Sequence, residues 1–488
     1  MRSLLDYLEK SAERFPDKTA FADENESVTF KQLRDLGWSV GTAASKHIGG
    51  TNKPVAVLTT HSVSDIVAFI GVLFAGCFYI PVDASAPDSF TKLRLKTIAP
   101  AMIIEAKMIA DLPCETPDLK MLESVRARVL PADPAYAIFT SGSTGAPKAA
   151  IISHCSVINL ADWFQETFLF SEKTVFAAQA PLYFDASVKE IYSTLKNGCT
   201  THLLSKKLFI SPLKVMRKVQ ELGANVLPWA AAAVKMMAGS GVFEKFIPDC
   251  VEDVIFGGEN MPSKALNIWR KAMPRTRFTN VYGPSETTVD CAFYTVDREL
   301  PDDVSVPIGR PCAGAELLLL DERGEPVTGC EPGEIYVRGI CVGLGYYGDP
   351  KRTTEVFVQN PLNKNYRDIV YKTGDIAKIN DYGELVFLAR TDDQVKHMGS
   401  RIELGEIESA AAAIDGIRLI CCSYDKEKSK ILMFYEGDIS ERDVSEKLND
   451  DLPRYMCPNI VVNVGMMPVT PNGKIDRIRV KREHYDGN

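Results

Sequence analysis

Phe139-Thr140-Ser141-Gly142-Ser143-Thr144-Gly145-Ala146-Pro147-Lys148 stands between two apolar runs, Tyr136-Ala137-Ile138-Phe139 and Ala149-Ala150-Ile151-Ile152. The leading run reads as a buried strand that feeds a loop. Every residue from Thr140 to Gly145 is hydroxylated or glycine, and Lys148 adds a positive charge. Such a loop can curl its N–H groups and hydroxyls around a polyanion. A flexible Ser/Gly linker would not carry apolar flanks on both sides. Nor is this a Walker loop, which needs Gly-Lys-Ser/Thr running into a helix. Here Pro147 precedes Lys148 and Ala149 follows it, so the magnesium-binding hydroxyl is missing. The stretch is a phosphate cradle of another type, set in an α/β layer.

The chain has 488 residues, enough for two or more domains. Its 45% hydrophobic and 25% charged content is that of a globular protein. A net charge of −8 argues against a general nucleic-acid or anionic-membrane role. None of the 12 cysteines forms a Cys-x-x-Cys pair, and the histidines at 47, 61, 154, 202, 397 and 484 lack metal-ligand spacing. Reduced thiols and a cytoplasmic location are expected. Asp6, Glu9, Glu13 and Arg14 interrupt any secretory core. Positions 66–82 carry no charge, but Gly76 and Pro81 break the run. It reads as a helix ending near Ala75-Gly76, followed by a strand over Cys77–Val82.

Helical and strand patterns alternate along most of the chain, as in 61–75, Ala101–Glu105, 213–222 and Val251–Phe256. Between about 300 and 390 the pattern changes to short strands with turns at Asp321–Pro326 and Asn380–Glu384. Residues 389–399 are largely polar and read as a hinge, with a small α+β unit after it.

Two further elements bear on the cradle. In Tyr282-Gly283-Pro284-Ser285-Glu286-Thr287-Thr288, Gly-Pro forces a turn, Tyr282 offers a flat face for a base, and Glu286 is a carboxylate suited to magnesium. In Tyr371-Lys372-Thr373-Gly374-Asp375 the carboxylate can grip a ribose diol. Together these stretches resemble the adenylate-forming superfamily, and most closely the adenylation domains of non-ribosomal peptide synthetases. The resemblance runs from about Asp17 to Arg477. It includes Leu73–Asp83, Phe184-Asp185-Ala186-Ser187, Gly333–Phe357, Gln394–Glu408, Leu452–Pro458 and Asn472-Gly473-Lys474-Ile475-Asp476-Arg477. Three positions depart from the family pattern: Ala149 replaces a glycine after the cradle lysine, Ala389 a glycine before Arg390, and Met398 a basic residue before Gly399.

The resemblance implies an α/β fold. A large N-terminal domain, residues 1–391, would hold two α/β-layered subdomains and a distorted β-barrel; a small mobile α+β domain, 392–488, would follow. It implies two reactions: a carboxylate attacks the α-phosphorus of ATP to give an acyl-adenylate and pyrophosphate, and a phosphopantetheine thiol then takes the acyl group. The carboxylate is already ionised at neutral pH, so positioning and charge neutralisation carry the first step. By resemblance, Thr140, Ser141, Gly142, Ser143, Thr144, Gly145 and Lys148 would hold phosphates, and Glu286 would hold Mg2+. Gly258, Asn280 and Tyr282 would frame the adenine, and Asp375 and Arg390 the ribose. Lys474 is the implied catalytic lysine, and Asp392 the implied hinge.

In amino-acid-activating relatives an aspartate after Phe binds the substrate ammonium, the place held here by Asp185. The alternative for Asp185 is a helix N-cap. Matching the family blocks puts Ala186, Lys189, Ala232, Ile255, Gly257, Val281, Val289 and Asp290 around the substrate side chain. An ammonium in an apolar pocket needs a partner, and Asp290 or a substrate carboxylate could supply one. The set resembles pockets that select glutamate. If Lys189 instead lies on a solvated helix face, a small apolar pocket and a D-alanine-type carrier-protein ligase follow. An acyl-coenzyme A ligase and a non-catalytic adenylate-binding protein are the other readings. Asn488 follows Arg477 by 11 residues, so a separate carrier protein is the expected partner, with no nucleic acid or membrane.

Overall fold

The computed structural model describes residues 3–105, 108–109, 116–140, 147–391, 394–468 and 475–486. Ser141, Gly142, Ser143, Thr144, Gly145, Asp392 and Lys474 lie outside the described residues. The chain divides into two compact units. One comprises residues 1–84, 98–139 and 149–389; the other comprises 85–97, 140–148 and 390–488.

The first unit is built from two largely parallel sheets and a third, antiparallel one. In the nine-stranded sheet, Arg277–Tyr282, Asp253–Gly257, Val226–Ala230, Val175–Ala178, Thr200–Leu203 and Thr19–Ala22 run parallel in that spatial order. Parallel strands are covered on both faces, so they read as continuous apolar runs without alternation. Asp253–Gly257, for instance, is buried at every position. The six-stranded sheet contains the strand Pro134–Thr140 that leads into the opening loop, and Lys148–Ser153 after it.

The uncharged run at 66–82 folds as expected. The helix Val63–Phe74 is buried at every position but Ser64, and the strand Phe78–Asp83 follows. Gly76 makes the turn at φ 65, where a side chain would be strained. Among the described residues no helix is long and apolar enough to cross a membrane. Helix Val188–Asn197 is likewise enclosed, with every side chain from Val188 to Leu195 buried. Buried indoles find partners, as the cost of an orphaned N–H requires. Trp229 and Trp269 donate to the carbonyls of Ala177 and Val234 at 2.8 and 2.9 Å.

Between 315 and 390 the β-rich section is a five-stranded sheet of Ala315–Leu320, Gly333–Gly339, Phe357–Gln359, Ile369–Ile379 and Leu385–Arg390. Both expected turns are closed by side chains. Asp321 accepts from the N–H groups of Arg323 and Glu325, and Asn380 from those of Tyr382 and Glu384.

The second unit holds a hairpin, Gln394–His397 with Ser400–Glu403, and a three-stranded sheet of Ile417–Asp425, Lys430–Gly437 and Ile460–Asn463. Helices Leu404–Ala412 and Glu441–Asp451 complete it. Met398 and Gly399 form the hairpin turn with φ 52 and 80, and Met398 is 72% exposed.

Candidate active site at the carboxyl ends of four parallel strands

Ala230, Gly257 and Val281 stand side by side in register across three parallel strands. Just past this row come Ala232 in helix Ala231–Gly239, Gly258 at φ 88, and Tyr282. The next strand over, Val175–Ala178, leads through a loop to the short turn Asp185–Ser187 and helix Val188–Asn197. Residues expected from blocks a hundred positions apart thus meet at one edge. In open α/β sheets that edge is where ligands bind.

Among the residues expected at the substrate, Asp185 opens a 3-10 turn whose cap position is Phe184, while Ser187 occupies the cap position of the following helix without a side-chain capping bond. Asp185 therefore stands at neither cap position. Ile255, Val281 and Val289 are buried, whereas Ala186 and Ala232 keep partial exposure. Lys189 is only 7% exposed, and its Nζ lies 3.7 Å from Oδ2 of Asp290. The solvated-face reading of Lys189 is thereby corrected: helix Val188–Asn197 has no solvated face over its first two turns. Asp290 follows Thr288 and Val289, at φ 58 and 69. Two consecutive β-branched residues in the left-handed region cost about 1–3 kcal/mol each. The bonds that hold them there are Thr288 Oγ1 to the Cys341 carbonyl at 2.6 Å and Asp290 N–H to the Thr288 carbonyl at 2.8 Å. A cavity of about 10 Å³, room for one water, lies against Asp290, Trp163, Thr288, Cys312 and Cys341.

Among the residues expected at the nucleotide, the Tyr282 hydroxyl donates to Oδ2 of Asp375 at 2.5 Å, joining two of them directly. Burial, then the Asp375 charge, pushes the Tyr282 phenol well above its usual range, so it stays a donor. Thr373 Oγ1 receives the Asp375 N–H at 2.9 Å. The Asn280 amide donates to the Pro307 carbonyl at 2.8 Å. Glu286 is fully buried, and the Tyr346 hydroxyl donates to its Oε1 at 2.6 Å. Reading the sequence missed Tyr346 as a partner, since 60 residues separate the two and only the fold joins them. Thr140 ends its strand, Lys148 begins the next, and Arg390 ends Leu385–Arg390.

Comparisons with known proteins show the family and the fold. The family model described as AMP-binding enzyme matches residues 8–347. Zwittermicin A synthase ZmaJ of Bacillus cereus is 30% identical over 96% of this chain and 93% of its own length. Bacitracin synthase 3 of Bacillus licheniformis is 31% identical over 96% of this chain, which spans only 8% of that protein. The solved structure of PA1221, an NRPS protein containing adenylation and PCP domains, superposes with a TM-score of 0.84 at 25% identity, covering 100% of this chain and 98% of that one. The chain belongs to the AMP-binding enzyme family and is an AMP-forming, ATP-using ligase of the adenylation type found in non-ribosomal peptide synthetases.

Proposed function

We propose that the chain activates an amino acid, L-glutamate, as its adenylate with release of pyrophosphate, and passes it to the phosphopantetheine thiol of a separate carrier protein. The observation that carries the choice of glutamate is the buried Lys189, 3.7 Å from Asp290 beneath the strand ends. At that spacing the ammonium has no close bond to Asp290, so it retains donors for a second carboxylate. Asp185 would receive the substrate ammonium, and Ala186, Ala232, Ile255, Gly257, Val281 and Val289 would wall the side chain. Carrier transfer is supported by the likeness to a protein containing adenylation and PCP domains.

Tyr282, Asn280 and Gly258 would frame the adenine, with Asp375 and Arg390 on the ribose. The loop from Thr140 to Gly145, with Lys148, would grip the β- and γ-phosphates, and Lys474 would bridge the attacking carboxylate and α-phosphate. Asp392 would be the hinge between the two half-reactions. Among the described residues no group of three or more His, Cys, Asp or Glu could hold a metal ion. Magnesium, which takes one or two carboxylates plus phosphate oxygens, fits the single buried Glu286 better than a metal that needs a protein cage. When bound it would neutralise phosphate charge. The chain's own part is to keep the Glu286 carboxylate oriented through Tyr346.

Amino-acid-dependent exchange of labelled pyrophosphate into ATP tests the substrate. Glutamate should give the largest rate, with glutamine and aspartate behind it; strong exchange with alanine and none with acidic amino acids overturns the reading. Faster thioester formation with coenzyme A than with carrier proteins would point instead to an acyl-coenzyme A ligase. Tyr346→Phe deletes the donor to Glu286 and should cost about 10- to 100-fold in kcat/KM, the worth of a bond to a charged group. An unchanged magnesium and ATP dependence in that variant would show that Tyr346 does not orient Glu286.

A further inference from the structure

Asp290 has two neighbours of different kinds. Lys189 Nζ lies 3.7 Å from its Oδ2, longer than a hydrogen bond. The other neighbour is the cavity of about 10 Å³, which Asp290 lines together with Asn159, Trp163 and Thr288. The segment that carries Asp290 there is strained, with Thr288 and Val289 both in the left-handed region at φ 58 and 69. Such strain persists only where the surroundings over-determine the backbone, and it clusters at binding sites.

The groups around this cavity are the partners a water needs. Trp163, in helix His154–Phe168, is 3% exposed, and its indole forms no hydrogen bond among the described residues. It differs in this from Trp229 and Trp269, whose N–H groups reach carbonyls at 2.8 and 2.9 Å. Phe164 and Phe293 stand 4.6 and 5.2 Å from the Trp163 ring, centroid to centroid. Phe293 in turn pairs with Val281 in the adjacent strand. These contacts fix the position of the indole. Asn159 adds an amide that can both donate and accept. Thr288 donates its hydroxyl to the Cys341 carbonyl and keeps its acceptor capacity. A buried water requires space for one molecule and two to four polar partners, and this cavity supplies both.

We propose that the cavity is a water site, in which one water accepts from the Trp163 N–H and donates to the Asp290 carboxylate, holding that carboxylate back from Lys189. Held in this way, Asp290 neutralises Lys189 without saturating it, and the ammonium keeps donors for the substrate side chain. Trp163 is then a positioning residue, acting on the substrate through the water, Asp290 and Lys189. The inference deepens the proposed function and rests on its placement of Lys189 and Asp290 in the substrate pocket.

Crystal structures of the wild-type chain and of Trp163→Phe test the water directly. In the wild type an ordered water should lie within about 3.2 Å of both Nε1 of Trp163 and a carboxylate oxygen of Asp290. Trp163→Phe keeps an aromatic ring and deletes the N–H, so Asp290 should close on Lys189 to about 2.8 Å. A wild-type cavity without water, or an unchanged separation in the variant, overturns the proposal. Pyrophosphate exchange separates positioning from packing. In Trp163→Phe the KM of the fastest-exchanging amino acid should rise about 3- to 10-fold, the worth of one hydrogen bond, with the KM for ATP unchanged. In an Asp290→Asn background no charge draws residue 290 toward Lys189, and the same substitution should change that KM less than about twofold. An equal rise in both backgrounds would make Trp163 merely structural and overturn its positioning role. Fastest exchange with a non-acidic amino acid overturns the glutamate reading alone, and the crystal structures still decide the water.

Discussion

Lys189→Leu should abolish glutamate-dependent exchange selectively and destabilise the fold at the same time. Removing one member of a buried charge pair at a ligand costs about 2–5 kcal/mol, roughly 30- to several-thousand-fold in kcat/KM. The same change removes the cation 3.7 Å from Asp290, which is only 6% exposed. Breaking a buried pair in this way costs about 3–5 kcal/mol of stability. The two effects separate in a double variant. Lys189→Leu with Asp290→Leu removes both charges, and well-packed apolar replacements of buried pairs are often neutral. Thermal unfolding should therefore recover in the double variant while glutamate exchange does not. An equal loss of exchange on every amino acid in the single variant would contradict direct pairing with the substrate.

The second large effect is expected from the smallest substitution. A Cβ added at Gly257 would lie 2.3 Å from the carbonyl oxygen of Val281, in the backbone of the neighbouring strand. Backbone in a packed parallel sheet cannot swing aside as a side chain can, so Gly257→Ala must displace strand Arg277–Tyr282. That strand carries Val281, a residue of the proposed substrate pocket, and Tyr282, whose hydroxyl meets Asp375. The variant should lose about 1–3 kcal/mol of stability. KM should rise for both the amino acid and ATP, since misplacement by about 1 Å can cost about 10²-fold. Gly258→Ala is the control. Nothing lies within 4 Å of its Cβ, but its φ of 88 strains any side chain, so it should cost about 1–2 kcal/mol without moving the strand. If Gly257→Ala leaves both KM values unchanged, the close approach does not set the pocket geometry.

Much of the architecture was legible because the relevant signals are local. The uncharged stretch at 66–82 separates into helix and strand at Gly76, since periodicity and a break can be read within a few residues. The turns at Asp321 and Asn380 carry their own closing side chains. The family resemblance implied site roles for Asp185, Glu286 and Asp375 by their place in ordered blocks. What could not be read is the bonding of these groups once assembled. Tyr282 donates to Asp375 and Tyr346 to Glu286 across 93 and 60 residues, and no periodicity reports such pairs. The strained φ values of Thr288 and Val289 were equally invisible, because β-branched residues in a sequence predict extended backbone.

By itself, the sequence determined the layered α/β class and membership in the adenylating family. The class rests on short-range pattern and the family on resemblance in ordered motif blocks, both of which survive without coordinates. Only the tertiary structure decided that helix Val188–Asn197 is enclosed on all sides over its first two turns. Sequence left both a pocket and a solvated face open for Lys189, because burial depends on what other elements pack around a helix. Enclosure turns Lys189 into a buried cation beside Asp290.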